Sequence, residues 1–137
     1  MTDKLSRQAL KDLVNYRLGR ANETLEAANY LASGEYYTLA MERLYYACFY
    51  VASALMLINN IAAGTHSGIK TMLNLNFIKT GKLASKYGII YQTLFEKRQS
   101  GDYEDFIYCN KEMYDDLYPQ AVEFIERIKC LVYDHPL

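Results

Sequence analysis

Apolar residues recur at three-and-four spacing in four long stretches of the chain, and one of those stretches has no polar face. From Ser6 to Ala32 they fall at Leu10, Leu13, Val14, Leu18, Ala21, Leu25, Ala28 and Leu31, the period of one helical face. Arg17, Arg20, Glu23 and Glu26 are left for the other sides, which puts this helix on the outside of a bundle. Ser33-Gly34 ends it, with Gly34 suited to a left-handed cap. So short a turn sends the next helix back antiparallel.

That second helix, starting near Glu35, contains the run from Leu39 to Ile58. No charge occurs between Arg43 and Lys70, and the only hydroxyls from Leu44 to Ile58 belong to Tyr45, Tyr46, Tyr50 and Ser53. A helix apolar on every side has to be surrounded by other helices, so it is expected at the centre of the bundle. As a membrane span its uncharged part would rise about 22 Å, short of the roughly 30 Å required. A membrane role is therefore not expected. Arg43, at the head of this helix, is expected to be buried, and a guanidinium that cannot shed its proton must then be paired or functional.

Asn59-Asn60 and Gly64 close the central helix, and Thr65 or Ser67 can cap the next one. A short helix is predicted over about 68–77, followed by the turn Lys79-Thr80-Gly81-Lys82. A long helix over about 83–101 turns Leu83, Tyr87, Ile90, Tyr91, Leu94 and Phe95 inward. The same spacing continues to Arg98, and Asp102 lies four residues further, within reach of a charge-assisted contact if the helix lasts that long. The last helix, near 110–132, points Met113, Leu117, Ala121, Phe124, Ile125, Ile128 and Leu131 inward and carries Pro119, where a kink is expected. The fold class is all-α: an antiparallel up-and-down four-helix bundle with an additional short helix, one domain over residues 1–137.

Charge and cysteine content narrow the setting. The net charge is −1, but residues 1–65 are neutral, 66–98 carry +5 and 99–137 carry −6. A basic flank can hold an anion, and the basic and acidic segments can equally face each other or a partner subunit. Three cysteines, Cys48, Cys109 and Cys130, without a CxxC pair fit reduced thiols in a cytoplasmic protein. No metal-site spacing occurs, and neither a metal nor a cofactor is expected. The polar start of the chain does not read as a signal peptide.

Several runs appear in a characteristic order: Glu42-Arg43-Leu44-Tyr45-Tyr46-Ala47, Thr65-His66-Ser67-Gly68, Phe77 with Thr80-Gly81-Lys82, and Arg98 followed by Asp102-Tyr103. From about Leu13 to Ile128 the chain resembles the HEPN (higher eukaryotes and prokaryotes nucleotide-binding) domain family. The resemblance implies a small helical bundle, often dimeric and frequently encoded beside a minimal nucleotidyltransferase. In some branches it implies a metal-independent ribonuclease that uses an Arg followed by a His after four to six residues. Here that window offers Tyr103, Glu104 and Asp105 after Arg98, and Cys48, Phe49 and Tyr50 after Arg43. The histidine that would exchange a proton near neutral pH is absent from both.

The reading is therefore a nucleotide- or RNA-binding module of a toxin–antitoxin-like system with no catalytic residue assigned. Its ligand-binding candidates are Arg98, Asp102, Tyr103, Arg43 and His66, and its expected partners are a second copy and a nucleotidyltransferase. Two alternatives stand beside it. One is a metal-independent ribonuclease with an altered motif, in which Tyr103 or His66 replaces the usual histidine; the other is a purely structural dimeric interaction protein. The homodimer is expected because Tyr91, Tyr108, Tyr114 and Tyr118 are too many for one small core. For Arg43 and Arg98 the structural alternative is a pair of buried arginines holding helices in register, for His66 a loop or capping residue, and for Tyr103 packing with its hydroxyl paired.

Overall fold

A computed structural model describes residues 6–103 and 108–136, with side chains described for 6–97 and 108–136. It contains α1 (Arg7–Ser33), α2 (Tyr37–Ile58), α3 (His66–Leu73), a π-helical turn (Asn74–Ile78), α4 (Ser85–Tyr103) and α5 (Lys111–Tyr133). No strand occurs among the described residues. The all-α bundle read from the hydrophobic pattern is therefore observed, with α2 packed against α1, α3, α4 and α5.

The core follows the expected rows. All six positions expected to face inward, Leu83, Tyr87, Ile90, Tyr91, Leu94 and Phe95, are buried, Leu83 two residues before α4 begins, and on α2 the unbroken stretch Val51–Met56 is buried with Leu44, Tyr45, Ala47 and Cys48. Burial pushes the Cys48 thiol well above its ordinary value, which keeps it neutral and unreactive. By length and composition α2 could cross a membrane, but 61% of its most apolar window is buried inside the fold. Its apolar character is accounted for by its neighbours.

Helix ends show where local chemistry decides. Gly34 does not take the left-handed conformation, since its φ is −93°. Glu35 takes it instead, at φ 67°. The Glu35 amide bonds to the Ala32 carbonyl and the Tyr36 amide to the Leu31 carbonyl, both at 2.9 Å. This is the paired hydrogen-bond pattern that closes a helix around one left-handed residue. At Gly34 the space is tight instead, because a Cβ there would lie 3.1 Å from the ring of the exposed Tyr36, which would have to shift by a few tenths of an ångström. Replacing Glu35 by Gly removes the Cβ penalty of the left-handed state and is expected to stabilise the fold by about 1 kcal/mol; a shift of the urea midpoint to higher concentration checks this. The same pattern closes α2 around Asn60 at φ 57°, a residue type that tolerates it.

The short helix starts two residues earlier than the spacing predicts, because Thr65 caps it, accepting from the Gly68 amide at 2.9 Å. It also runs on into the π turn, which periodicity did not signal. Gly88 of α4 packs against that turn so closely that a Cβ would meet Asn74 Oδ1 at 3.2 Å and Ile78 at 3.4 Å. α5 continues through Pro119 rather than ending there.

Polar side chains tie the outer helices together. Tyr114 donates to Asn29 Oδ1 at 3.0 Å, and Asn29 donates to Tyr118 at 2.9 Å. Lys86 and Tyr87 of α4 both meet Glu123 of α5, at 2.5 and 3.0 Å, so at this point the basic and acidic segments face each other. Lys86, then Tyr87, holds the Glu123 carboxyl below its ordinary value.

The tyrosine argument for a dimer needs correction. Tyr91 and Tyr114 are buried at 1% and 4% exposure and Tyr118 is half-buried, while Tyr108 is 69% exposed. The core takes the Tyr91 ring between Tyr45 and Phe124, and Asn29 bonds the hydroxyls of Tyr114 and Tyr118 nearer the surface. Burial, then the neighbouring Tyr118 and Asp115, pushes Tyr114 up to about 12 from 10.0. A folded-state pKa raised above the unfolded one gives stability that is full below pH 10 and lost as pH rises through 12. Alkaline denaturation in that window, weakened in Tyr114→Phe, is the expected result of a pH-melt series.

Candidate functional site

On α2, Arg43, Tyr46, Tyr50 and Ser53 occur at intervals of three, four and three residues and therefore share one face. Tyr45 points elsewhere and is fully buried. Its ring lies 5.8 Å from Tyr91 and 6.1 Å from Phe95 of α4, and its hydroxyl is 2.8 Å from His66 Nδ1.

His66 forms the first turn of α3. The Thr65 cap fixes that turn, and Gly68 permits it, since a Cβ at 68 would sit 2.8 Å from Thr65 Oγ1. The imidazole is itself no cap. It lies with its centroid 4.4 Å from that of Phe49 at an interplanar angle of 33°, and edge-on to Tyr46 at 5.5 Å. Three α2 rings and one hydroxyl therefore hold it in one orientation.

Arg43 is placed differently from expectation. Its side chain is 33% exposed, its guanidinium lies 4.8 Å over the Tyr46 ring, and Glu42 is 3.8 Å away with 49% exposure. Arg43 is therefore not a buried ion pair. A pair this open contributes about 0–1 kcal/mol, and the ring contact about 0.5–1 kcal/mol more. Lys70 of α3, half-buried, donates to Gln92 of α4 at 3.0 Å and lies 4.9 Å over Phe95, while Gln92 donates to Glu96 at 2.8 Å.

Two sequence candidates, Arg43 and His66, are thus joined through Tyr46 and Phe49. For Arg98, Asp102 and Tyr103 the structure describes the backbone only. α4 persists to Tyr103, so Arg98 and Asp102 are one helical turn apart and Arg98 follows Phe95 by three positions. Their side chains lie outside the described residues.

Two arginines assigned to the solvated side of α1 border the same α2 face. Arg17 donates to the Ser53 hydroxyl, and Arg20 donates to Tyr50 Oη at 3.3 Å while lying 5.2 Å over its ring. A signal for them existed: Arg17, Arg20 and the buried Thr24 follow three-and-four spacing beside the apolar row.

The chain matches the HEPN domain over residues 14–131. It belongs to the HEPN domain family. Among curated HEPN relatives, the UPF0332 protein of Thermotoga maritima is 35% identical over 122 residues, covering 89% of this chain and 92% of that protein. Two Methanocaldococcus jannaschii proteins bear the names "Putative toxin MJ0142", at 33% identity over 80% of this chain and 75% of that protein, and "Putative toxin MJ0605", at 34% over 80% and 81%. The HEPN bundle is therefore the scaffold on which the Arg43 and His66 cluster is built.

Proposed function

We propose that this HEPN domain is the nucleotide- or RNA-binding component of a toxin–antitoxin-like module, acting in the cytoplasm without cleaving its ligand. The observation that carries this reading is the junction of Arg43 and His66, 23 positions apart in sequence, through Tyr46 and Phe49. Aromatic faces bind bases by stacking, and a guanidinium binds phosphate with two parallel N–H donors. The names of the two archaeal relatives support the toxin-like setting, and the family supports a minimal nucleotidyltransferase as partner.

Equilibrium dialysis with the mononucleotide UMP tests the site. Saturable binding that weakens in His66→Ala and in Arg43→Gln is expected; equal affinity in wild type and both variants would contradict it. The molecule works as a homodimer in this reading, supported by exposed Tyr36, Leu39 and Tyr108 around a shallow cleft of about 220 Å³. Sedimentation giving only a 15.8 kDa species would contradict the dimer.

The ribonuclease alternative has one observation in its favour. His66 is held against Tyr45, which packs on Phe95, three positions before Arg98 in α4, and this indirect link supports a histidine distant in sequence as the one that would serve.

A further inference from the structure

The face that Arg43 and Tyr46 begin does not stop at the His66 cluster. Tyr50 follows on the next turn of α2 and Ser53 on the turn after, and α1 adds Arg20 beside Tyr50 and Arg17 beside Ser53. From Arg43 to Ser53 the row is about 15 Å long at 1.5 Å per residue. We propose that this row is a track for single-stranded nucleic acid, along which a strand whose nucleotide occupies the His66 cluster continues across the α1–α2 face. The proposal rests on the nucleotide-binding reading above.

The chemistry of the row favours this ligand. It presents guanidinium groups and phenol rings, and the Ser53 hydroxyl at its far end is buried and holds Arg17 in place. Arg43 lies 4.8 Å over Tyr46 and Arg20 5.2 Å over Tyr50, so each cation is supported from beneath by a ring. Arginine can stack on a base and bond phosphate through the N–H groups it does not give to a neighbour, and Arg20 gives one of its own to Tyr50 Oη. Point-charge lysines would serve an acidic protein as well, whereas stacked planes add affinity only for a planar ligand.

Competing carboxylates are present but weakly engaged. Glu42 is 3.8 Å from Arg43, and Glu23 is 3.5 Å from Arg20. Both carboxylates are more exposed than their arginines, at 49% against 33% and 70% against 39%, so water can take them over when phosphate binds. Arg17 is fixed by the Ser53 hydroxyl, a neutral partner. Tyr46 and Tyr50 are half-buried, as is Phe49 between them, and Phe49 contacts both rings.

The test is fluorescence anisotropy of the full chain with a labelled oligouridylate long enough to run the row, with oligothymidylate of equal length, and with UMP as competitor, at several salt concentrations. The variants are Arg17→Gln with Arg20→Gln, Arg20→Lys, and His66→Ala, each checked for an unchanged helical spectrum and urea midpoint. Oligouridylate affinity is expected to exceed that of UMP, and the double glutamine variant to reduce that advantage on the order of tenfold. Its salt slope should fall by about 0.7 for each phosphate that the variant no longer neutralises. Arg20→Lys should keep the slope while recovering only part of the affinity, because the stacking plane is gone. Oligothymidylate binding as tightly as oligouridylate keeps the track and makes it indifferent to the sugar.

An oligonucleotide advantage and salt slope unchanged in the double variant, with UMP binding still dependent on His66, would overturn the track and leave the nucleotide site standing. Oligonucleotide binding that depends on Arg17 and Arg20 but not on His66 would keep the track and remove the nucleotide site. A wild-type chain that binds no oligonucleotide, or that uses these arginines only to hold an acidic protein, would overturn the proposal.

Discussion

Replacing Tyr45 by alanine is expected to lower the unfolding free energy by about 3–5 kcal/mol. Tyr45 is fully buried and its ring meets Tyr46, Phe49, His66, Tyr91 and Phe95, so one truncation opens a cavity where α2, α3 and α4 join. Little can collapse into that space, because its walls are rings on three separate helices. Tyr45→Phe keeps the ring and removes only the hydroxyl, 2.8 Å from His66 Nδ1, and should cost about 1 kcal/mol. Urea titrations at unchanged m-value separate the two. Equal losses in both variants would mean that the hydroxyl, not the packed ring, holds this junction.

The same junction shows what the amino-acid pattern could and could not reveal. The inward row from Leu83, just ahead of α4, to Phe95 was legible because a single period sorted buried from exposed positions, and every one of those positions is buried. α4 lasts to Tyr103, two residues past the end that spacing predicted, which puts Arg98 and Asp102 one turn apart along the backbone. Arg43 was misjudged for a physical reason. Apolar neighbours in sequence imply burial only where another helix covers that face, and the face shared by Arg43, Tyr46 and Tyr50 is bordered by arginines of α1 rather than sealed. Coverage is a property of how helices cross, which no local window contains.

His66 illustrates the complementary case. Thr65 and Gly68 marked a helix start, yet nothing local indicated that the imidazole would turn onto Phe49. Tyr91 and Tyr114 were counted as surplus aromatics, yet both are core residues: Tyr91 packs its ring on Tyr45 and Phe124, and Tyr114 buries its ring and still ends on a polar partner. For Tyr114 that partner is Asn29.

The second large effect concerns catalysis. A general acid or base with a suitable pKa contributes roughly 10²–10⁴-fold, and neither the four-to-six window after Arg43 nor that after Arg98 supplies a histidine. The tyrosine in the latter window, Tyr103, would bring a phenol of pKa about 10 to the task. Cleavage of RNA by this chain is therefore expected to be negligible, while the proposed site predicts that RNA is still retained by the rings and guanidiniums of α2. The ribonuclease alternative makes the opposite forecast through His66.

One measurement decides between them. Labelled single-stranded RNA is incubated with the wild-type chain and with His66→Ala, each with EDTA, and run on parallel native and denaturing gels that read retention and cleavage from the same sample. The account predicts intact RNA that is retained by the wild type and held more weakly by the variant. EDTA-resistant cleavage by the wild type that disappears in His66→Ala would contradict it.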